Sequence, residues 1–96
     1  MTAPSSALIR FRRSTRVDET RVGDRVVLYH RDAGWGIVLN PAGSFVWDSL
    51  STPRSQDELV TQLAGRFPSI SRARIESDVA AYVESLLAHS LIDGES

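Results

Sequence analysis

Few side chains in this sequence carry chemistry, and their spacing is poor for catalysis. Cysteine is absent. Without a thiol there is no disulfide, thiolate zinc site, iron–sulfur cluster or sulfur nucleophile. The two histidines, His30 and His89, each stand alone, with no second imidazole at metal-ligand spacing. Both read as surface residues, His30 at a strand end and His89 near a helix end. Carboxylates such as Asp32, Asp48, Glu58, Asp78 and Glu84 are scattered. Caps and solvated faces account for them, and no two are marked as a general acid and base. There is no Gly-x-Gly-x-x-Gly, P-loop or Gly-x-Ser-x-Gly. A hairpin explains Gly34 and close packing explains Gly36. The expectation is a protein that is not an enzyme and holds no metal or cofactor.

Two other constellations lead toward ligands. Trp35, Phe45, Trp47, Phe67 and Tyr82 could wall a small-molecule pocket, but aromatics in a chain of 96 residues first serve the core. The other is electrostatic. All 11 basic residues are arginine, and the net charge is −1. Residues 1–32 hold seven arginines against four acids, and residues 33–96 hold four against eight. Two helices joined through Arg66-Phe67-Pro68-Ser69 resemble a helix-turn-helix, with Arg72 and Arg74 opening the second of them. The alternative reading is therefore a winged-helix DNA-binding protein. A duplex binder needs a basic face. From Ser69 onward there are only two arginines against five acids, so that helix would be repelled by phosphate. No nucleic-acid partner is expected.

The length fits one small domain, and 42% hydrophobic with 24% charged residues is a globular composition. No apolar run reaches transmembrane length, and residues 1–13 hold no signal-peptide core. A cytoplasmic protein without a membrane partner is expected. Residues 1–14 read as a flexible arm, 15–93 as the domain and 94–96 as a polar tail. Alternation from Thr15 to Thr20 predicts a short edge strand. Arg25–Arg31 is a second strand, rich in β-branched and aromatic residues. Trp35–Leu39 is a third, with Trp35, Ile37 and Leu39 on one face and Gly36 and Val38 on the other.

Asn40 then caps a helix that has Pro41 at its first position. Ser55 with Glu58 is a capping box for a second helix, which Pro68 ends. Ser69 or Ser71 caps a third, with Ile75, Val79, Val83 and Leu86 as its core stripe. Leu91 and Ile92 fold back onto the core. Three strands followed by three helices predict an α+β fold, a three-stranded antiparallel meander packed on a helical trio. The meander leaves one edge of residues 35–39 unpaired, and a free edge must be covered, blunted or used.

The ordered set of segments resembles the PqqD-like family of peptide chaperones, also called RiPP recognition elements. It comprises Val27-Leu28-Tyr29, Ile37 to Gly43, Val46-Trp47, Arg54 to Val60, Leu63 to Phe67, Asp78 to Val83 and Leu91-Ile92. These segments span about residues 15–93. The chain departs from its relatives at Gly36, where an aromatic is frequent. The resemblance implies a winged helix-turn-helix-like fold without catalytic residues. Such a domain binds the leader of a ribosomally made precursor peptide as an extra strand. It then delivers that peptide to a radical SAM enzyme, a cyclase or a leader peptidase such as those of lasso-peptide clusters. The peptide-binding residues expected on that basis are Trp35, Gly36, Ile37, Val38 and Leu39 on the strand. On the third helix, the stripe beside the core stripe at three- and four-residue spacing, Arg74, Asp78, Ala81, Tyr82 and Ser85, is expected to line the groove beside residues 35–39.

Overall fold

Period-two alternation becomes strand and 3.6-residue periodicity becomes helix along most of the chain. The computed structural model describes residues 9–95. In chain order its elements are β1 (Arg10–Arg13), β2 (Val17–Val22), β3 (Arg25–His30), β4 (Trp35–Leu39), α1 (Pro41–Ser49), β5 (Arg54–Ser55), α2 (Gln56–Arg66), α3 (Arg72–Ala88) and β6 (Ile92–Glu95). The class is α+β, with two three-stranded antiparallel sheets and three helices.

The larger sheet has the order β2-β3-β4. Its first hairpin closes on the pair Val22 and Arg25 around Gly23-Asp24. Gly23 takes φ 64 there, a left-handed value that suits glycine in a two-residue turn. Val26 and Leu28, both fully buried, face the helices, whereas Val22, Tyr29 and Val38 face outward and are exposed. The helical side of the core is Val46, Trp47, Leu50, Leu59, Leu63 and the expected α3 stripe of Ile75, Val79, Val83 and Leu86.

The caps form as the residue types dictate. The Asn40 side chain accepts from the Gly43 N–H at 2.7 Å, and Pro41 follows at the helix start. The Ser55–Glu58 capping box is complete. Of the two serines expected to cap α3, Ser71 does so. The end of α3 departs from the usual glycine. Ser90 takes φ 58, while Leu91 N–H bonds Leu86 C=O at 2.9 Å and Ser90 N–H bonds Leu87 C=O at 3.0 Å. This is a Schellman closure with serine in the left-handed position. It turns the chain so that Leu91 and Ile92 enter the core.

A second sheet, of order β5-β1-β6, lies outside the expected meander. Residues 10–13 are therefore its central strand and not part of a flexible arm; residues 1–8 of that arm lie outside the described residues. Gly94 and Glu95, expected in a polar tail, pair with Phe11 and Arg10. Ser96 lies outside the described residues. The physical reason is non-local pairing. Arg-Phe-Arg-Arg offers one apolar side chain, Phe11, and it becomes buried only when the distant β6 lies beside it. Arg13 ties this sheet to α1. Its guanidinium donates to the Trp47 C=O at 2.7 and 3.2 Å and lies 4.6 Å over the Trp47 ring, a cation–π contact.

Candidate strand-addition groove

The edge of β4 follows from one buried hydroxyl. Ser44 Oγ, on α1, accepts from Val26 N–H at 2.9 Å and donates to Leu39 C=O at 3.2 Å. Val26 and Leu39 therefore turn these groups toward each other across the β3–β4 seam. Bonding sides alternate along an antiparallel strand. Trp35, Ile37 and Leu39 thus bond inward to β3, and Gly36 and Val38 turn their N–H and C=O groups outward. β4 is the terminal strand of its sheet, so among the described residues these groups meet no further strand. A Cβ built on Gly36 would lie 2.5 Å from the Leu28 carbonyl oxygen, so glycine is required by backbone approach.

α3 runs beside this edge, antiparallel to β4. At one end the Trp35 ring meets His89 edge-on with centroids 4.7 Å apart. At the other, Tyr82 Oη donates to Asn40 Oδ1 at 3.2 Å. These two contacts set α3 alongside the β4 strand. The strand alternates as expected. Leu39 is buried, Ile37 half-buried, and Trp35 sits at the surface on the same face. Gly36 and Val38 are exposed on the opposite face.

Of the expected helix residues, Tyr82 and Asp78 are half-buried, and Arg74, Ala81 and Ser85 are exposed. Ala81 is rotated about 100° from Tyr82 around the helix, away from the core stripe. Arg74 Nε pairs with Asp78 Oδ2 at 3.3 Å, so the two charges satisfy each other in this structure. His89 and Asn40 were not expected here. The available signal was spacing, since His89 follows Tyr82 by two helical turns.

Both histidines differ from surface residues. His89 is half-buried, and its Nδ1 lies 2.7 Å from the Ser85 carbonyl. A carbonyl only accepts, so Nδ1 carries the proton in that contact. His30 is buried on the inner face of β3. Its Nδ1 accepts from the N–H groups of Asp32 and Ala33, each at 3.2 Å. Arg16 grips Asp32 through two bonds of 2.8 and 2.9 Å. The hydrogen-bonding guanidinium holds the Asp32 carboxyl below its usual range. His30 and Asp32 together fix the loop that delivers Trp35 to the groove.

The groove offers backbone donors and acceptors, aromatic surface and few free charges, which suits an extended peptide. Among the described residues no group of three or more histidines and carboxylates could hold a metal ion. On α3, Arg72 pairs with Glu76 at 3.5 Å and Arg74 with Asp78 at 3.3 Å. The two arginines singled out for DNA contact are thus both engaged. Three concave surfaces, of about 270, 270 and 400 Å³, are lined by other residues. Among the described residues no helix is long and apolar enough to cross a membrane.

Residues 25–92 match the family described as Coenzyme PQQ synthesis protein D (PqqD). The chain belongs to the PqqD family. The match begins at β3 and ends as the chain enters β6, so it takes in β4, all three helices and the groove. Among solved structures, this PqqD-family chain is similar to one titled "TbiB1 in Complex with the TbiA(beta) Leader Peptide". The two are 26% identical with a TM-score of 0.79, over 88% of this chain and 98% of that one. The comparison with curated proteins returned no match.

Proposed function

We propose that this protein is a non-catalytic chaperone for a ribosomally made precursor peptide. The leader segment adds to β4 as a further strand and lies in the groove against α3. Gly36 and Val38 supply main-chain bonds to it, while Trp35 and Ile37 meet its inward side chains. Tyr82, Ser85 and Asp78 line the helix wall, with Ala81 and Arg74 beside them. The observation that carries this reading is the unpaired β4 edge at Gly36 and Val38, flanked by α3. A related structure that holds a leader peptide supports it. Main-chain bonds give affinity with little sequence demand, and the side-chain contacts beside the edge give selectivity. The bound peptide is then presented to a modifying enzyme or leader peptidase, in the cytoplasm.

The test seeks a short precursor reading frame beside the gene and titrates the isotope-labelled protein with its leader, followed by amide NMR. Shifts concentrated in residues 35–39 and 78–89 are expected. Saturable binding whose shifts avoid β4 would sink the strand-addition reading, and no binding at all would sink the chaperone reading. A mass change in the precursor produced by the purified protein alone would overturn its non-catalytic character.

A further inference from the structure

A concavity of about 400 Å³ runs along α1. Its floor is Pro41, Ser44, Phe45 and Asp48, one stripe at three- and four-residue helical spacing. From Pro41 to Asp48 that floor is about 10 Å long. One wall is the β2–β3 hairpin end, with Arg21 and Asp24, and the other is the end of α2, with Arg66 and Phe67. The volume lies toward the lower end of the range for ligand sites, roughly 300–1,000 Å³. It suits a few residues of extended peptide rather than a protein surface.

The charges around it are unevenly used. Arg21 is held by Asp48 and by Glu19, the latter at 3.8 Å. Arg66 and Asp24 are exposed, and neither makes a salt bridge among the described residues. Arg66 instead lies 5.1 Å over the Phe67 ring. Phe67 in turn meets Phe45 edge-on, with centroids 6.5 Å apart, and both rings are half-buried. Aromatic surface is thus open between an unpaired cation on one wall and an unpaired carboxylate on the other. Its complement is an apolar side chain flanked by one acidic and one basic group.

Position says what carries that chemistry. Asn40, which accepts from Tyr82 Oη at the end of the β4–α3 contact, is the residue before Pro41. A peptide strand paired with β4 has one of its ends at Leu39, whichever way it runs. Extended backbone advances about 3.3 Å per residue, so roughly two or three further peptide residues reach Pro41. A segment tethered in this way needs little affinity of its own. Short flexible connections give effective concentrations on the order of millimolar.

Resting on the proposed function, we infer that this concavity is a second binding site for the same precursor peptide. It takes the segment that continues past the Leu39 end of β4 and seats an apolar side chain of that segment on Phe45 and Phe67. A carboxylate of the segment meets Arg66, and a basic group meets Asp24. Pairing with β4 makes little sequence demand, and this site adds selection by charge and side-chain type.

The experiment measures fluorescence anisotropy with synthetic peptides from a short precursor reading frame beside the gene. One peptide is the whole leader. The other is the shortest fragment of it that still shifts the amides of residues 35–39. The variants are Arg66→Glu and Asp24→Arg, both at exposed positions, with circular dichroism as the check on folding. In the wild type the whole leader is expected to bind at least tenfold more tightly than the fragment. Each variant is expected to lose at least threefold in affinity for the whole leader and to bind the fragment within twofold of wild type. Unchanged whole-leader affinity in either variant, or a fragment that binds as tightly as the whole leader, would overturn the second site and leave the chaperone reading standing. Failure of the wild type to bind either peptide would overturn both. Saturable binding of free phenylalanine at Phe45 and Phe67 that leaves whole-leader affinity unchanged would assign the concavity to a free amino acid and overturn the proposal.

Discussion

Proline at position 38 isolates the role of the β4 edge from that of the fold. Proline removes a backbone donor and places ring carbons where that donor pointed. At Val38 the lost N–H faces outward, so the β3–β4 ladder keeps its bonds, and the exposed side chain leaves no cavity. Position 36 is unsuited to the same test, since any Cβ there meets the Leu28 carbonyl. The edge offers two outward N–H and two outward C=O groups at Gly36 and Val38, hence about four bonds to an added strand. Each contributes roughly 1 kcal/mol net. Val38→Pro deletes one, and the ring pushes the incoming strand away from its neighbour, so two are lost. That loss of about 2 kcal/mol corresponds to a weakening of about 30-fold. Isothermal calorimetry with the leader peptide reads the affinity, and circular dichroism with thermal melting confirms the fold. Val38→Thr serves as a control that keeps the donor and should bind as wild type. A folded Val38→Pro protein with wild-type affinity would refute main-chain pairing at this edge.

The remaining expectations use the same logic. Ser44→Ala strips the hydroxyl that bridges Val26 and Leu39 and should cost about 1–3 kcal/mol in urea unfolding, the penalty for unpaired buried groups. Ser90→Gly relieves the left-handed serine that ends α3 and should add about 1 kcal/mol, seen as a rise of roughly 4–8 °C in melting temperature. Trp35 lies at the surface in the groove whereas Trp47 is buried, so leader binding should shift tryptophan emission in the wild type and leave Trp35→Phe silent. The Ser55 backbone N–H holds the Glu58 carboxylate below its usual range. Its contribution is whole above the unfolded value and is lost as pH falls through the folded one, so Glu58→Gln should flatten the acid limb of melting temperature against pH.

What could be read from the sequence was local. Alternation in Arg25–His30 and Trp35–Leu39, the Asn40-Pro41 start and the Ser55–Glu58 box each state their structure within a few residues. The open β4 edge followed from counting strands in a meander. The second sheet escaped because β1 and β6 lie at opposite ends of the sequence, and each offers a single buried apolar residue, Phe11 or Ile92. Ser90 hid the α3 terminus because the left-handed position there lacks the usual glycine. His30 looked like a surface residue because its polar ring satisfies its own loop from a core position. On α3 the expected stripe was drawn from spacing alone. Helix rotation, set by the packing of Ile75 and Val79, carries Ala81 away from the core stripe and brings His89 against Trp35.

The pairing of β1 with β6 has a consequence for how this fold can be moved. Arg10 lies across from Glu95, so the chain enters and leaves the body side by side, about 5 Å apart between Cα atoms. Both ends sit on the sheet that does not contain β4. A host protein could receive residues 10–95 as an insert in a single surface loop, its own strands or helices hardly spread, with the β4 edge left facing solvent. The same arrangement makes the body a candidate for circular permutation: a short bridge could join the two ends, and new termini could open at the exposed connector between α1 and β5.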